Sequence, residues 1–311
     1  MNENEKYLFD LRGYIVVRNA LTPEQVRDLS DRLALRVSAM EQRKSEDSSK
    51  RKRKKSIYGS DRTRFRDEDD PAWSAPSLLE WGGTYIDLID IPTIKPYLET
   101  LLGNHYRLDH DYIKIDSAKT SPALYLHGGG QGSGGPADLV GPTDGGQCFY
   151  RFSNGRFFNG LVSVAFELDT VNPGDGGFAC IPGSHKSNFA LPEDWRVSSK
   201  QQDVPDIVDR VAASAGDAII FTEACAHGTI PWKGNNQRRT IFYKYCPHAV
   251  AWSPCFYNSD LYGDLTESQL AMLMPPSAFG PAKHTRNIWQ KAQAEQAELY
   301  RLRRESAAKQ H

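Results

Sequence analysis

His127 opens a run of three glycines, Gly128, Gly129 and Gly130, and a second histidine, His227, stands before Gly228 much later in the chain. Two histidines can serve in a facial triad, in which two imidazoles and one carboxylate hold a non-heme Fe(II) by one face and leave the other positions open. The usual spelling is His-x-Asp or His-x-Glu, with the second His on a later strand. Here the carboxylate position falls on Gly129, which has no side chain to bind metal. Asp138, Asp144 or Glu223 could bring the third ligand from elsewhere. Glu223 precedes His227 by four residues, and an even spacing puts both on one face if the strand runs that far. Arg238 follows His227 by eleven residues. A guanidinium grips a carboxylate bidentately and keeps its charge. Arg239 points to the other face of the same strand, so only one of the two can hold a given anion. A plainer reading stays open beside these: a capping histidine, and glycines that only turn the chain.

The surrounding segments narrow the choice. Residues 216–245 read GDAIIFTEACAHGTIPWKGNNQRRTIFYKY, residues 176–186 read GGFACIPGSHK, and LHGG spans 126–129. As a set these resemble the phytanoyl-CoA dioxygenase family of Fe(II)/2-oxoglutarate oxygenases, over roughly residues 8–250. The resemblance implies that His127 and His227 bind the metal, that Arg238 forms a salt bridge to the distal carboxylate of 2-oxoglutarate, and that O2 is consumed. His185, in the Pro182-Gly183-Ser184-His185 turn, lies beside the site in that family, and a supporting role is expected for it. His105, His110, His248, His284 and His311 have no partner at ligand spacing and read as ordinary histidines.

Within the wider superfamily that the chain resembles, Gly or Ala in place of the carboxylate marks halogenases, where chloride takes the vacated position. Gly129 is then the halide position. The charge balance agrees, because a chloride and a carboxylate each place one negative charge on the iron. The resemblance implies that chlorine is transferred in place of hydroxyl to an unactivated carbon of a small molecule in natural-product biosynthesis. A hydroxylase or desaturase with a carboxylate from outside the motif is the alternative. A non-catalytic jelly-roll binding protein has no need of the His, His and Arg set.

These residues need strands to present them. Residues 12–19 read as a strand, and Thr22, Pro23 and Gln25 form a capping box that opens a helix to about Arg43, with Val26, Leu29, Leu33 and Val37 on one stripe. Helices are expected at 76–82 and 92–102, and strands at 106–116 and 121–127. The glycine-dense stretch 128–147 reads as a long active-site loop. Asn154-Gly155 marks a hairpin inside 150–169, and later strands fall at 177–181, 217–222, 227–230 and 238–246. The fold expected is α+β, mainly β: a cupin-like double-stranded β-helix, or jelly roll, with flanking helices. One catalytic domain over residues 1–311 is expected. The tail 285–309 reads as a helix that packs on the barrel or pairs with a second subunit.

Composition sets limits on partners. A net charge of −1 argues against a general nucleic-acid binder. No apolar stretch approaches the length of a membrane span, and five cysteines without a CxxC pair fit a reducing cytoplasm. Residues 44–56 hold six consecutive basic residues, Lys50 to Lys55, either a solvated loop or a lid that recruits an anionic substrate. Trp73, Trp81, Tyr85, Trp252, Phe256 and Tyr257 either pack the core or stack a planar group. With Arg62, Arg64 and Arg66 they are compatible with a nucleotide such as deoxyadenosine monophosphate.

Overall fold

The computed structural model describes residues 1–46, 77–117, 124–128, 148–189, 191–195, 204–252, 257–278 and 280–281. Gly129, Asp138, Asp144, Lys50 to Lys55, Arg62, Arg64, Arg66, Trp73, Phe256 and the tail 285–309 lie outside them.

Alternation along the strands sets the architecture. In β11 (Arg238–Pro247), Ile241, Tyr243 and Tyr245 join the large core that includes the helices, whereas Phe242 joins a second cluster with Phe178, Cys180 and Phe221. Successive strand residues face opposite sides. Each central strand therefore has an outer face covered by helices and an inner face turned into a barrel. One sheet has the order β1 (Tyr14–Val17), β9 (Ala218–Thr222), β6 (Val162–Glu167), β11, β2 (Tyr106–Asp116). The other runs β3 (Leu124–His127), β10 (His227–Ile230), β7 (Gly177–Cys180), β8 (Asp209–Arg210). All pairings are antiparallel. Two such sheets enclosing a shared inner cluster form the double-stranded β-helix that the sequence predicts.

The hairpin of β4 (Tyr150–Ser153) and β5 (Arg156–Asn159) turns at Asn154 and Gly155, both left-handed, as an Asn-Gly turn requires. Helix α2 (Pro23–Glu46) starts at the expected capping box: the Thr22 hydroxyl accepts from the Gln25 N–H at 3.2 Å, and the Gln25 side chain accepts from the Thr22 N–H at 2.9 Å. Leu29 and Leu33 of α2 are buried in the large core that also takes the outer face of the larger sheet.

Several boundaries differ from expectation. A helix, α1 (Glu3–Arg12), precedes the first strand, capped by Asn2 and Glu5 and ended by left-handed Gly13. The strand expected from Arg12 therefore starts only at Tyr14. The helix expected at 76–82 is a single 3-10 turn, Leu78–Trp81, and short α3 (Thr84–Asp87) follows it. The next helix, α4 (Lys95–Leu102), begins after Pro92, with Pro96 in its first turn. A last helix, α5 (Glu267–Leu273), lies outside the expected elements and rests on a Thr266–Gln269 capping box.

Candidate metal centre

His127 ends β3 and His227 begins β10, and the two are Cα partners in the ladder between those strands. Their rings approach to 4.4 Å between centroids. The His227 ring packs against Phe221 at 4.7 Å and Phe178 at 6.3 Å, which fixes its plane. Its Nδ1 lies 2.7 Å from the Cys225 carbonyl oxygen. A carbonyl can only accept, so Nδ1 carries the hydrogen and Nε2 is the nitrogen that could bind a metal. That Nε2 lies 3.4 Å from Glu223 Oε2.

Ligand atoms of His127, Glu223 and His227 all lie within 4.8 Å of one another. Two imidazoles and one carboxylate are the donor set of the facial triad and suit Fe(II). Among the described residues, no other three His, Cys, Asp or Glu side chains meet in this way.

Glu223 reaches His227 by a different route from strand alternation. Strand β9 stops at Thr222, and a turn closed by the Cys225 N–H on the Thr222 carbonyl at 3.0 Å carries Glu223 toward His227. Gly128 supports that turn. Its φ is +86°, and a Cβ there would lie 2.7 Å from the Cys225 oxygen and 2.9 Å from the Glu223 oxygen. A side chain at 128 would collide with backbone. From the other side, the Ser184 hydroxyl accepts from the Ala226 N–H at 2.7 Å and donates to the Ile181 carbonyl at 2.6 Å. His185 bonds the Asp10 carbonyl at 3.0 Å and meets Tyr150 edge-on, so the PGSH turn supports the site from outside without entering it.

The second oxygen of Glu223 is engaged elsewhere. Oε1 accepts from the Ser163 hydroxyl and lies 2.8 Å from the Lys244 ammonium. Burial alone would raise the Glu223 carboxyl, but Lys244 and His227 hold it well below the usual carboxylate range. Lys244 in turn lies over the Tyr112 ring at 5.4 Å.

Deeper along the inner face of β11 lies Arg238, 1% exposed, with Nη1 3.0 Å from Asp116 and Nη2 on Glu167. Its Nε is buried without a hydrogen-bond partner, as is Nζ of Lys114, which lies 3.4 Å from Asp116. Burial brings the Lys114 ammonium down to about 8, against the upward pull of Asp116. Arg239 faces outward and pairs bidentately with Asp169 at 2.8 and 2.7 Å. Of the two candidate arginines, Arg238 is therefore the one inside the barrel.

The other candidates are accounted for by packing. His110 bonds the buried Asp109 at 2.7 Å, and His248 is buried beside the Ala271 carbonyl. Trp81 meets Tyr85 edge-on, Tyr85 and Tyr257 are buried in the outer core, and Trp252 packs on Cys148, Leu161 and Cys246. Ser163, Lys244, Lys114, Asp116 and Glu167 were not singled out from the sequence. For Lys244 a signal existed: it lies an even number of residues after Arg238 and so shares its face. Ser163 and Glu167 sit in an apolar strand with no motif to mark them.

Comparison with known proteins adds to this geometry. Residues 147–240 match the sequence profile of the phytanoyl-CoA dioxygenase (PhyH) family. A protein from Epichloe uncinata, described as "Dioxygenase lolE1", is 30% identical over 84 residues, which is 27% of this chain and 32% of that protein. Apo HygX from Streptomyces hygroscopicus has a similar fold, with a TM-score of 0.59 and 19% identity over 85% of this chain and 94% of that one. So does HygX with nickel, 2-oxoglutarate and hygromycin B bound, with a TM-score of 0.56 and 20% identity over 85% and 95%. The matched stretch, under a third of the chain, runs from the barrel's hairpin through the Glu223 turn and His227 to Arg238, and over it the chain is similar to the phytanoyl-CoA dioxygenase family.

Proposed function

We propose that this protein is an Fe(II)/2-oxoglutarate-dependent oxygenase acting on a small molecule, with the metal held by His127, Glu223 and His227. The observation that carries the reading is the convergence of those three side chains on one point between the sheets. The family match and the "Dioxygenase" relative support the class, and HygX, which binds iron or nickel, 2-oxoglutarate and hygromycin B, supports the cofactors and a natural-product substrate. Bound iron and 2-oxoglutarate would supply the oxidising chemistry that activates O2. The chain's own residues hold and orient the reactants.

The inner barrel fits the 2-oxoglutarate dianion. Arg238 Nε and Lys114 Nζ are buried without a hydrogen-bond partner, although both residues are ion-paired with Asp116, and such donors suit a carboxylate. A Cβ on Gly177 would lie 3.0 Å from Arg238 Nε, and Gly177 is three residues before Cys180, the cross-strand partner of His227. The guanidinium is therefore roughly 10 Å along the sheet from His227, a span suited to a five-carbon diacid bound at the metal by its other end. Phe242, Phe178 and Phe221 belong to one buried apolar cluster on the inner face, and Phe178 and Phe221 pack against His227.

With Glu223 as third ligand the expected outcome is oxygen insertion, and hydroxylation is the first reaction to test. Iron content decides the ligand set: Glu223→Ala, His127→Ala and His227→Ala should each lose stoichiometric Fe(II) and 2-oxoglutarate turnover. Full occupancy in Glu223→Ala would remove Glu223 from the site.

One observation favours a second reading, the halogenase. Lys244 and Ser163 already engage Glu223, and a carboxylate that stays with them would leave a position for chloride, with Gly129 next but one to His127. Chloride-dependent formation of a carbon–chlorine bond would establish it. A nucleotide substrate would need stacking faces from Trp73 or Phe256, since the described aromatics considered for that role are packed.

A further inference from the structure

We propose that Lys244 and Ser163 are positioning residues that make Glu223 a one-oxygen ligand. The inference rests on the reading of Glu223 as a metal ligand and adds how its coordination mode is set.

The two oxygens of Glu223 have separate surroundings. Oε1 accepts from the Ser163 hydroxyl and from Lys244 Nζ at 2.8 Å, while Oε2 faces His227 Nε2 at 3.4 Å. All four residues are buried, so water cannot replace either partner of Oε1 at low cost. Lys244 and Ser163 are cross-strand partners on β11 and β6, and both project from rigid central strands of the larger sheet. Glu223, by contrast, hangs on a turn, and without the two donors its carboxylate could rotate about its last bond.

That rotation matters for coordination. Two imidazoles and one carboxylate oxygen leave a whole face of an iron site open. A carboxylate chelating through both oxygens would take a position from that face, and a bidentate co-substrate would then fill what remained. Tying Oε1 to an ammonium and a hydroxyl prevents this. A hydrogen-bond partner beyond the ligand sets its orientation in just this way. Lys244 also places a positive charge next to the centre, so the same contact that orients Glu223 moderates the negative charge it brings.

Co(II) is the probe, because its visible absorption reports coordination geometry without turnover. Wild type, Lys244→Met, Ser163→Ala and Glu223→Gln are loaded with Co(II) anaerobically, and 2-oxoglutarate is then titrated in. The expected result is that Lys244→Met and Ser163→Ala still bind stoichiometric Co(II) with altered visible bands, and bind 2-oxoglutarate about 10- to 100-fold more weakly. Ser163→Ala keeps the ion pair and serves where Lys244→Met folds poorly. Wild-type bands and wild-type 2-oxoglutarate affinity in both variants, with altered bands in Glu223→Gln, would overturn the positioning role and leave the ligand assignment standing. Wild-type bands in Glu223→Gln would overturn the ligand assignment and this inference with it.

Discussion

Gly128 and Glu223 meet at a distance that admits no side chain. A Cβ on Gly128 would stand 2.9 Å from the Glu223 carbonyl oxygen, at a left-handed φ of +86°. The glycine after His127 thus lets β3 close onto the turn that carries a candidate ligand. Gly128→Ala should cost on the order of 1–3 kcal/mol from backbone strain and the displaced turn. It should also weaken Fe(II) binding, because the displaced residues are Glu223 and Cys225, and the Cys225 carbonyl orients His227. Thermal denaturation with an iron assay checks both effects, and retention of wild-type iron affinity would separate Gly128 from the centre.

Arg238 and Arg239 are adjacent, but their substitutions should behave very differently. Arg238→Leu leaves Asp116 and Glu167 buried without their shared cation, a loss of about 3–5 kcal/mol. Arg239→Leu removes a partly exposed pair with Asp169, worth about 1 kcal/mol or less. Denaturant midpoints should show that order. Comparable losses in the two variants would contradict the inward orientation of Arg238.

Lys114 gives a pH test of the anion pocket. Its folded pKa is lowered to about 8 from the usual lysine value of 10.5, so the free protein sheds this proton as pH rises through 8 while the unfolded chain keeps it until higher pH. In that window the unfolded state binds more protons, and the Lys114 contribution to stability rises with pH. A dianion binds the charged form, so 2-oxoglutarate affinity should fall over the same window. Calorimetric titration of the Co(II)-loaded protein from pH about 7 to about 9.5 checks this. Lys114→Met should bind more weakly at neutral pH and lose the slope; an unchanged slope would assign the titration to another group.

The sequence made the barrel legible because its strands carry strong apolar alternation and its turns carry Gly and Asn-Gly signals. Thr22 and Gln25 marked the start of α2 for the same kind of local reason. His127, His227 and Arg238 entered as candidates because the segments that hold them resemble a known family; strand spacing alone only permits their roles. Glu223 stood among the candidates, but the stated reason, an even spacing on one strand, is not how it arrives. A turn delivers it, and the contact between Gly128 and residues 223–225 that shapes the turn joins segments far apart in sequence. Ser163 was illegible for a related reason, and for Lys244 the sequence showed its face but not its partners. Both residues matter only through register pairing across β6 and β11, which no local pattern announces.

The central claim is that a protein carboxylate, Glu223, completes the iron site. The most direct measurement is the visible absorption of the anaerobic wild-type protein with Fe(II) and 2-oxoglutarate, recorded with and without added chloride. If Glu223 holds the third position, chloride should leave the spectrum unchanged. A chloride-dependent shift would contradict the claim, placing halide at the position Glu223 is proposed to fill and making the halogenase the better account.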